Sequence, residues 1–442
     1  MRENSYDVEP NWAAFAALDW GAEKHFYCIR AAGEQPCESG ELENTPEAIE
    51  AWLRKLEKHF GHGPIAVAVE QSRGALVYML SARPNLVIYT VPPSLSGRYR
   101  ETFRPSGAKS DASDAEMLLE ILALHRDQLR PRRPDTVATR LLQGLCVERR
   151  RLVDERTRQT HRLTACLGNY FPQALRWFAD VDAPLMAAVL EKWGQLRAMQ
   201  RSHPGTLRKF FQQHHCRRRE VLEQRILEIY AAVPVSDDPA VLEIGMLTAR
   251  AISCLLQTLN EQIRILEERI AEVTREHPEH KRFSSLPGAG KTLVPRLIAA
   301  MGTDRQRFRS AAEVQCYVGI APVTSSSGKS RWVHLRWSCP QFLRQTFHEY
   351  AACSLRKSPW AKAYYRLLRE KGYGHHAAVR ALAFQWIRIV FRCWKDGQLY
   401  DEATYLHSLQ RKNSPVVATL EVAALPARVP QWKQIAGFSK LT

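Results

Sequence analysis

Four carboxylates and one serine are the side chains of this 442-residue sequence whose types and placement can do chemistry. Asp19, in ALDWG, follows the apolar run Ala13–Leu18. Glu70, in IAVAVEQS, follows the run Ile65–Val69. Both stand where a strand leaves a sheet, the place where α/β proteins put their reactive groups. Asp111 and Asp114, in KSDASDAE, open a segment with helical spacing, so that i and i+3 share a face. Like charges brought together are costly unless a cation neutralises them. Mg²⁺ takes hard oxygen ligands, and two such ions roughly 3.5–4 Å apart assist both the attacking and the leaving oxygen of a phosphodiester. Each carboxylate also has an ordinary reading. Asp111 suits a helix N-cap, Asp114 complements a helix dipole, and Asp19 and Glu70 suit solvated strand ends.

The serine is Ser327, which precedes Gly328 in VTSSSGKSRW. A nucleophilic hydroxyl needs exposure, positive charge for the phosphate and an acceptor for its proton. Lys329, Arg331 and Arg336 supply charge nearby, and Gly328 permits close approach of a backbone. Ser325 and Ser326 are rivals, and a Ser-rich stretch is ordinarily a loop. A third motif, GAGKT at 288–292, fails as a Walker A loop because position 285 is Ser where that motif needs Gly. LPGAGKTLVPRLI reads instead as a helix-hairpin-helix, in which the backbone at Gly288 and Gly290, with Lys291, holds a nucleic-acid phosphate. The adjacent pairs His214-His215 and His375-His376 have poor spacing for zinc.

The elements that must position these groups fall into four parts. Residues 12–130 alternate strand-like runs (Ala13–Leu18, Phe26–Ile29, Ile65–Val69, Leu86–Val91) with helix-like ones (Pro46–His59, Ala75–Ala82, Asp111–His125), which predicts an α/β layer domain. Pro131 and Pro134 mark its end. Residues 135–280 are helical. Ile252, Leu256, Leu259, Ile263, Leu266, Ile270 and Val273 form a heptad seam. A weaker first arm, about Leu141–Cys166, has Arg149 and Arg156 at seam positions, and the insert at about 171–215 predicts a small helical module. Residues 283–397 form a basic, mainly α-helical unit with 19 Lys+Arg against 5 Asp+Glu, and 398–442 are a tail.

Charge narrows the partners. The whole chain carries a net +17, but residues 1–130 hold 14 basic and 19 acidic side chains, so the excess lies downstream. A basic body of that size suits a polyanion such as nucleic acid. No run of 18 apolar residues occurs; the most apolar stretch, 377–394, is broken by Arg380, Arg388 and Arg392. No membrane span is therefore expected. Ten Cys without a C-x-x-C pair point to reduced thiols and a cytoplasmic setting.

In their order, DWG at 19, VEQS at 70 and KSDASDA at 109–115 resemble the RuvC-like, RNase H-fold domain of DEDD-type transposases, the IS-one-ten family. Pro287-Gly288-Ala289-Gly290, Met301-Gly302-Thr303-Asp304, Arg307-Phe308-Arg309-Ser310-Ala311, Tyr317-Val318-Gly319-Ile320-Ala321-Pro322 and Ser327-Gly328 are similar to motifs of that family's C-terminal domain. The resemblance implies a transposase or site-specific recombinase. Asp19, Glu70, Asp111 and Asp114 would bind Mg²⁺, with Mn²⁺ as a substitute, and Ser327 would attack DNA to give a phosphoserine intermediate. It further implies donor and target DNA, a noncoding guide (bridge) RNA, and dimers that pair into tetramers. The alternative is a metal-dependent, junction-resolvase-like nuclease that uses the carboxylates alone.

Overall fold

The computed structural model describes residues 11–34, 37–71, 74–103, 110–132, 134–178, 180–216, 218–328 and 330–424. The chain divides into two compact units, residues 1–134 and 135–442.

The first unit is built on a five-stranded sheet. Its elements are β1 (Ala14–Asp19), β2 (Lys24–Ala31), β3 (Glu38–Glu43), α1 (Pro46–Phe60), β4 (Ile65–Val69), α2 (Ala75–Ser81), β5 (Leu86–Thr90), α3 (Pro93–Phe103) and α4 (Asp111–His125). The strand order is β3-β2-β1-β4-β5, with the β3–β2 and β2–β1 pairs antiparallel and the β1–β4 and β4–β5 pairs parallel. β4 is IAVAV, buried at every position, because a central parallel strand is covered on both faces. One face packs on α1 and α2 through Trp52, Leu53, Val77 and Leu80. The other packs on α4 through Leu118, Ile121 and Leu122. β3 lies at the sheet edge, and of its six residues only Leu42 is buried. The mixed α/β reading of this region therefore holds, with β3 and α3 as elements that the apolar patterning did not mark.

The second unit is mostly helical. α5 (Val137–Tyr170) and α11 (Pro239–Glu276) pair along their length. They run antiparallel, since Cys166 bonds to Gly245 near one end while Arg149 reaches Glu267 towards the other. The seam residues Ile252, Leu256, Ile263, Ile270 and Val273 are buried. The two arginines at seam positions are matched from across the pair: Arg149 Nε donates to Glu267 at 2.8 Å, and Arg156 Nη1 donates to Asn260 at 3.3 Å. Between the arms, α6 (Pro172–Trp177), α7 (Pro184–Lys192), α8 (Leu196–Gln200), α9 (Pro204–Gln213) and α10 (Arg219–Ala231) close a separate core over one end of the pair, around Phe171, Phe211 and Leu256.

By length and composition α11 is apolar enough to cross a membrane, with a mean hydropathy of 1.5 over its best window. This corrects the placing of the most apolar stretch at 377–394. In this fold Gly245, Ala249, Ile252 and Leu256 of that helix are buried within the protein, whereas Ile244, Leu247 and Leu255 are exposed.

The remaining elements are α12 (His280–Ser284), α13 (Gly290–Met301), α14 (Ala311–Tyr317), β6 (Val323–Ser327), β7 (Ser330–His334), α15 (Gln341–Ser354), α16 (Pro359–Glu370), α17 (His375–Asp396), α18 (Glu402–Arg411) and α19 (Pro415–Ala424). Their core gathers Trp360, Trp386, Trp394, Tyr350 and Phe347. The tryptophans of α17 are thus packing groups: the Trp386 indole donates to Ser354 Oγ and the Trp394 indole to the Gly302 carbonyl.

Candidate active site

The first unit brings its carboxylates to one end of the sheet. β1 delivers Asp19 and β4, its parallel neighbour, delivers Glu70 one residue past its own end. α4 packs on β1, β2 and β4 and presents Asp111 and Asp114 in its first turn. Asp111 is not the cap of that helix. Ser110 is: its hydroxyl accepts from the Ser113 amide, and the Ser113 hydroxyl accepts from the Ser110 amide. With capping supplied by serines, both aspartates are free of that duty. Asp111 is exposed, Asp114 buried, and Asp19 and Glu70 lie between those extremes.

Asp19 senses the other three. Asp19 is pushed up from its ordinary 3.8 to about 6, first by burial and then by the negative charges of Asp114, Glu70 and Asp111, against a backbone bond from Trp20 that favours the charged form. Two chain segments, the end of β4 and the first turn of α4, therefore focus negative potential on one half-buried carboxyl. Among the described residues, however, no three carboxylate, His or Cys side chains stand close enough together to share an ion. Two side chains from α3 take up carboxylate oxygens instead. Arg100 Nη2 donates to Asp114 Oδ1 at 2.6 Å, and the buried Ser96 hydroxyl donates to Glu70 Oε1 at 2.6 Å. The patterning missed both residues because α3 opens with Pro92-Pro93 and reads as loop. Their spacing of four, which puts them on one helix face, was the available signal.

The turn after Asp19 is built to hold it. The Gly21 amide donates to His25 Nδ1 at 3.3 Å, and His25 Nε2 meets Asn44 Oδ1 at 3.1 Å. Asn44 Nδ2 in turn donates to the Ala22 carbonyl at 3.0 Å. Burial lowers the His25 pKa and keeps the ring neutral, which lets Nδ1 accept. A methyl group on Gly21 would lie 1.9 Å from the Lys24 carbonyl oxygen, so the glycine of DWG answers a steric demand.

Ser327 lies in the second unit. It ends β6 and pairs with Ser330 across a two-residue turn that Gly328 enters at φ 56°. A positive φ at the first turn position is what a tight hairpin of this length requires. The serine is exposed, and every residue of β7 is exposed, including Trp332 and Val333. The cross-strand register separates the rivals: Ser326 faces Arg331, while Ser325 and Ser327 share the other side of the ribbon with Trp332 and Ser330. Arg336 follows the hairpin, with its Nη2 3.8 Å from Cys316 Sγ. Lys329 lies outside the described residues.

Of the residues in the helix-hairpin-helix reading, Gly288 lies between α12 and α13, Gly290 opens α13, and Lys291 stands in its first turn. A methyl on Gly288 would meet the Cys353 carbonyl oxygen at 2.7 Å, so this glycine lets the turn pack on α15. Gly290 has open space beside it and Lys291 is exposed.

Two family models match the chain. One, described as transposase, covers residues 16–172, which include all four carboxylates. The other, described as transposase of the IS116/IS110/IS902 family, covers residues 280–366, which include Ser327 and the GAGKT turn. The chain is similar to the mini-circle putative transposase for IS117 of Streptomyces coelicolor, with 28% identity over 89% of this chain and 97% of that protein. The insertion element IS110 uncharacterized 43.6 kDa protein, also of Streptomyces coelicolor, is 26% identical over 90% of this chain and 97% of its own length. The insertion element IS900 uncharacterized 42 kDa protein of Mycobacterium paratuberculosis is 24% identical over 90% and 98%, respectively.

Proposed function

The chain belongs to the IS110 family of transposases, and from that premise we propose that it cuts and rejoins DNA strands with the carboxylate cluster and Ser327 acting together. The observation that carries the reading is geometric: β1, its parallel neighbour β4 and the first turn of α4 bring Asp19, Glu70, Asp111 and Asp114 to one end of the sheet, near enough for the other three charges to raise the Asp19 pKa. That order of strands and helix is the arrangement expected of an RNase H-like domain, and we assign the first unit to that fold class. The donor set, all hard oxygens with excess negative charge, suits Mg²⁺ or Mn²⁺. Asp19, Glu70, Asp111 and Asp114 would hold the ion once Arg100 moves off Asp114. Bound there, a divalent cation supplies Lewis-acid stabilisation of phosphoryl oxygens.

The protein's own groups then divide the work. Ser327 Oγ attacks phosphorus, the Oγ–P bond forms, and the P–O bond to the leaving strand breaks to release a hydroxyl. The Oγ proton passes to a carboxylate oxygen of the cluster, and the leaving oxygen recovers a proton when it departs. Attack by the hydroxyl of a second strand reverses these changes, frees Ser327 and completes exchange with no net hydrolysis. The exposed tip of a short hairpin suits a nucleophile that must reach into DNA. Carboxylates and serine sit in separate units, so we further propose that they meet in an assembled dimer or tetramer. The excess of positive charge downstream of residue 130 supports DNA binding, with room for a guide RNA to which sequence choice is delegated.

The test is covalent trapping. Protein, Mg²⁺, labelled junction DNA and RNA transcribed from the element's flank are mixed and denatured. A labelled protein band that vanishes in Ser327→Ala and in Asp19→Ala supports the reading. Cut DNA with no band, unchanged in Ser327→Ala, would identify a hydrolytic nuclease.

A further inference from the structure

The second unit contains a recess that the strand-transfer chemistry does not use. α5, α11, α13 and α15 enclose a half-open cavity of about 310 Å³. Its apolar wall includes Cys146, Ile270, Pro295 and Phe342. Five cationic side chains line it (Arg149, Arg150, Arg264, Lys291 and Arg296) against two carboxylates, Glu267 and Glu268. The lining itself is cationic, although the carboxylates paired with its arginines, some of them outside the recess, offset that charge. Arg149 pairs with Glu267, Arg264 with Glu261 and Glu268, and Arg150 with Asp154, while both Arg150 and Arg296 pair with Glu349.

Two independent features aim at an anion. The first is the start of α13, a 12-residue helix whose first turn carries Lys291 and Thr292 and whose amides no side chain caps. Uncapped amides at a helix N-terminus favour negative charge. The second is Arg296, one turn further along. It is only 6% exposed, its Nε donates to Thr346, its Nη1 to Glu349, and its plane lies over Phe342 at 5.1 Å. Its Nη2 is buried with no hydrogen-bond partner, and so is Nε of Arg150. A buried guanidinium donor left unsatisfied is costly, and a ligand oxygen relieves that cost.

We propose that this recess binds the phosphate of a nucleotide, held by the first turn of α13, Lys291 and Arg296, with the nucleoside against the Pro295 and Phe342 wall. The volume lies at the small end of ligand sites and admits a single nucleotide, not a duplex. The site is not a Walker A loop, since position 285 is Ser and the short helix α12, not a strand, leads into the turn. One phosphate chemistry has two sources here, a free nucleotide or one unit of a nucleic-acid strand. The strand source rests on the transposase reading; the binding test below does not depend on cleavage, so the two readings fail separately.

The test uses the full chain with AMP, adenosine and a labelled single-stranded oligonucleotide. The variants are Thr292→Glu, which sets a carboxylate at the exposed start of α13 where a helix tolerates it, and Thr258→Glu, the same charge change on the exposed face of α11. Expected is binding of AMP but not adenosine, with AMP weakened by about tenfold or more in Thr292→Glu and unchanged in Thr258→Glu. Displacement of the oligonucleotide by AMP, with matching weakening in Thr292→Glu, identifies a strand as the source; no displacement identifies a free nucleotide. The proposal is overturned if adenosine binds as well as AMP, if both variants lose affinity equally, or if neither AMP binding nor oligonucleotide binding responds to Thr292→Glu.

Discussion

Replacing Asp19 by Asn should stabilise the first unit, at the expense of its chemistry. In the folded protein Asp19 titrates at about 6 in place of 3.8, because burial and three neighbouring carboxylates disfavour its charge. Between those two pH values the native state binds more protons than the unfolded chain. Stability from this group therefore falls as pH rises through the window, and the loss is complete above pH 6. At 1.36 kcal/mol per pKa unit the ceiling is about 3 kcal/mol. Solvent screening of a half-buried group reduces this to about 1–2 kcal/mol. Asn keeps the shape and removes the charge. Hydrogen exchange of the β1 and β4 amides, measured in EDTA, reads the local stability without requiring the two units to unfold together. At pH 7.5 protection should rise about 5–30-fold in Asp19→Asn, and near pH 4 the variant and parent should converge. Adding Mg²⁺ should raise protection in the parent and have less effect in the variant. Lower protection in Asp19→Asn at pH 7.5 without metal would refute the reasoning, since it would mean that the charged form is held by favourable contacts.

Three further outcomes follow from named contacts. Arg100→Ala removes the cation from the buried Asp114; in EDTA it should lower the first unit's stability by about 1–3 kcal/mol, and Mg²⁺ should restore more of it than in the parent, as measured by the same exchange experiment. Gly21→Ala puts a methyl 1.9 Å from the Lys24 carbonyl. It should destabilise the β1–β2 turn by more than about 1 kcal/mol and reduce DNA cutting through displacement of Asp19. Ile270→Ala, at a buried seam position between α5 and α11, should cost about 2–5 kcal/mol in denaturant titration of the second unit while leaving β1 and β4 exchange unchanged.

Much of this architecture was legible because burial imposes periodicity. β1 and β4 are apolar runs ended by a carboxylate, and α4 announces itself by its acidic first turn and its apolar body. The heptad in α11 was read from spacing alone. The first arm looked weak because Arg149 and Arg156 interrupt it, and their partners, Glu267 and Asn260, lie over a hundred residues away, where local patterning cannot see them. β3 was missed for the opposite reason. An edge strand with a single buried leucine carries no alternation, and four of its six side chains are exposed. α3 was hidden by its prolines and by Gly97, and with it went Ser96 and Arg100, the side chains that engage the carboxylates. The run of serines before Gly328 reads as a loop, although a Gly-Lys pair between strand-forming residues is a hairpin signal. The register of that hairpin sets Ser326 opposite Arg331 and places Ser327 on the other side, which is what the proposed role of Ser327 has to work with.

The account rests on Ser327 as the attacking group, and mass spectrometry of the trapped protein–DNA adduct tests it most directly. After nuclease and protease digestion, the account predicts one modified peptide, with the residual nucleotide on Ser327 and absent from the Asp19→Ala protein. A nucleotide on Ser325 or Ser326, or free DNA ends with no modified peptide at all, would contradict it.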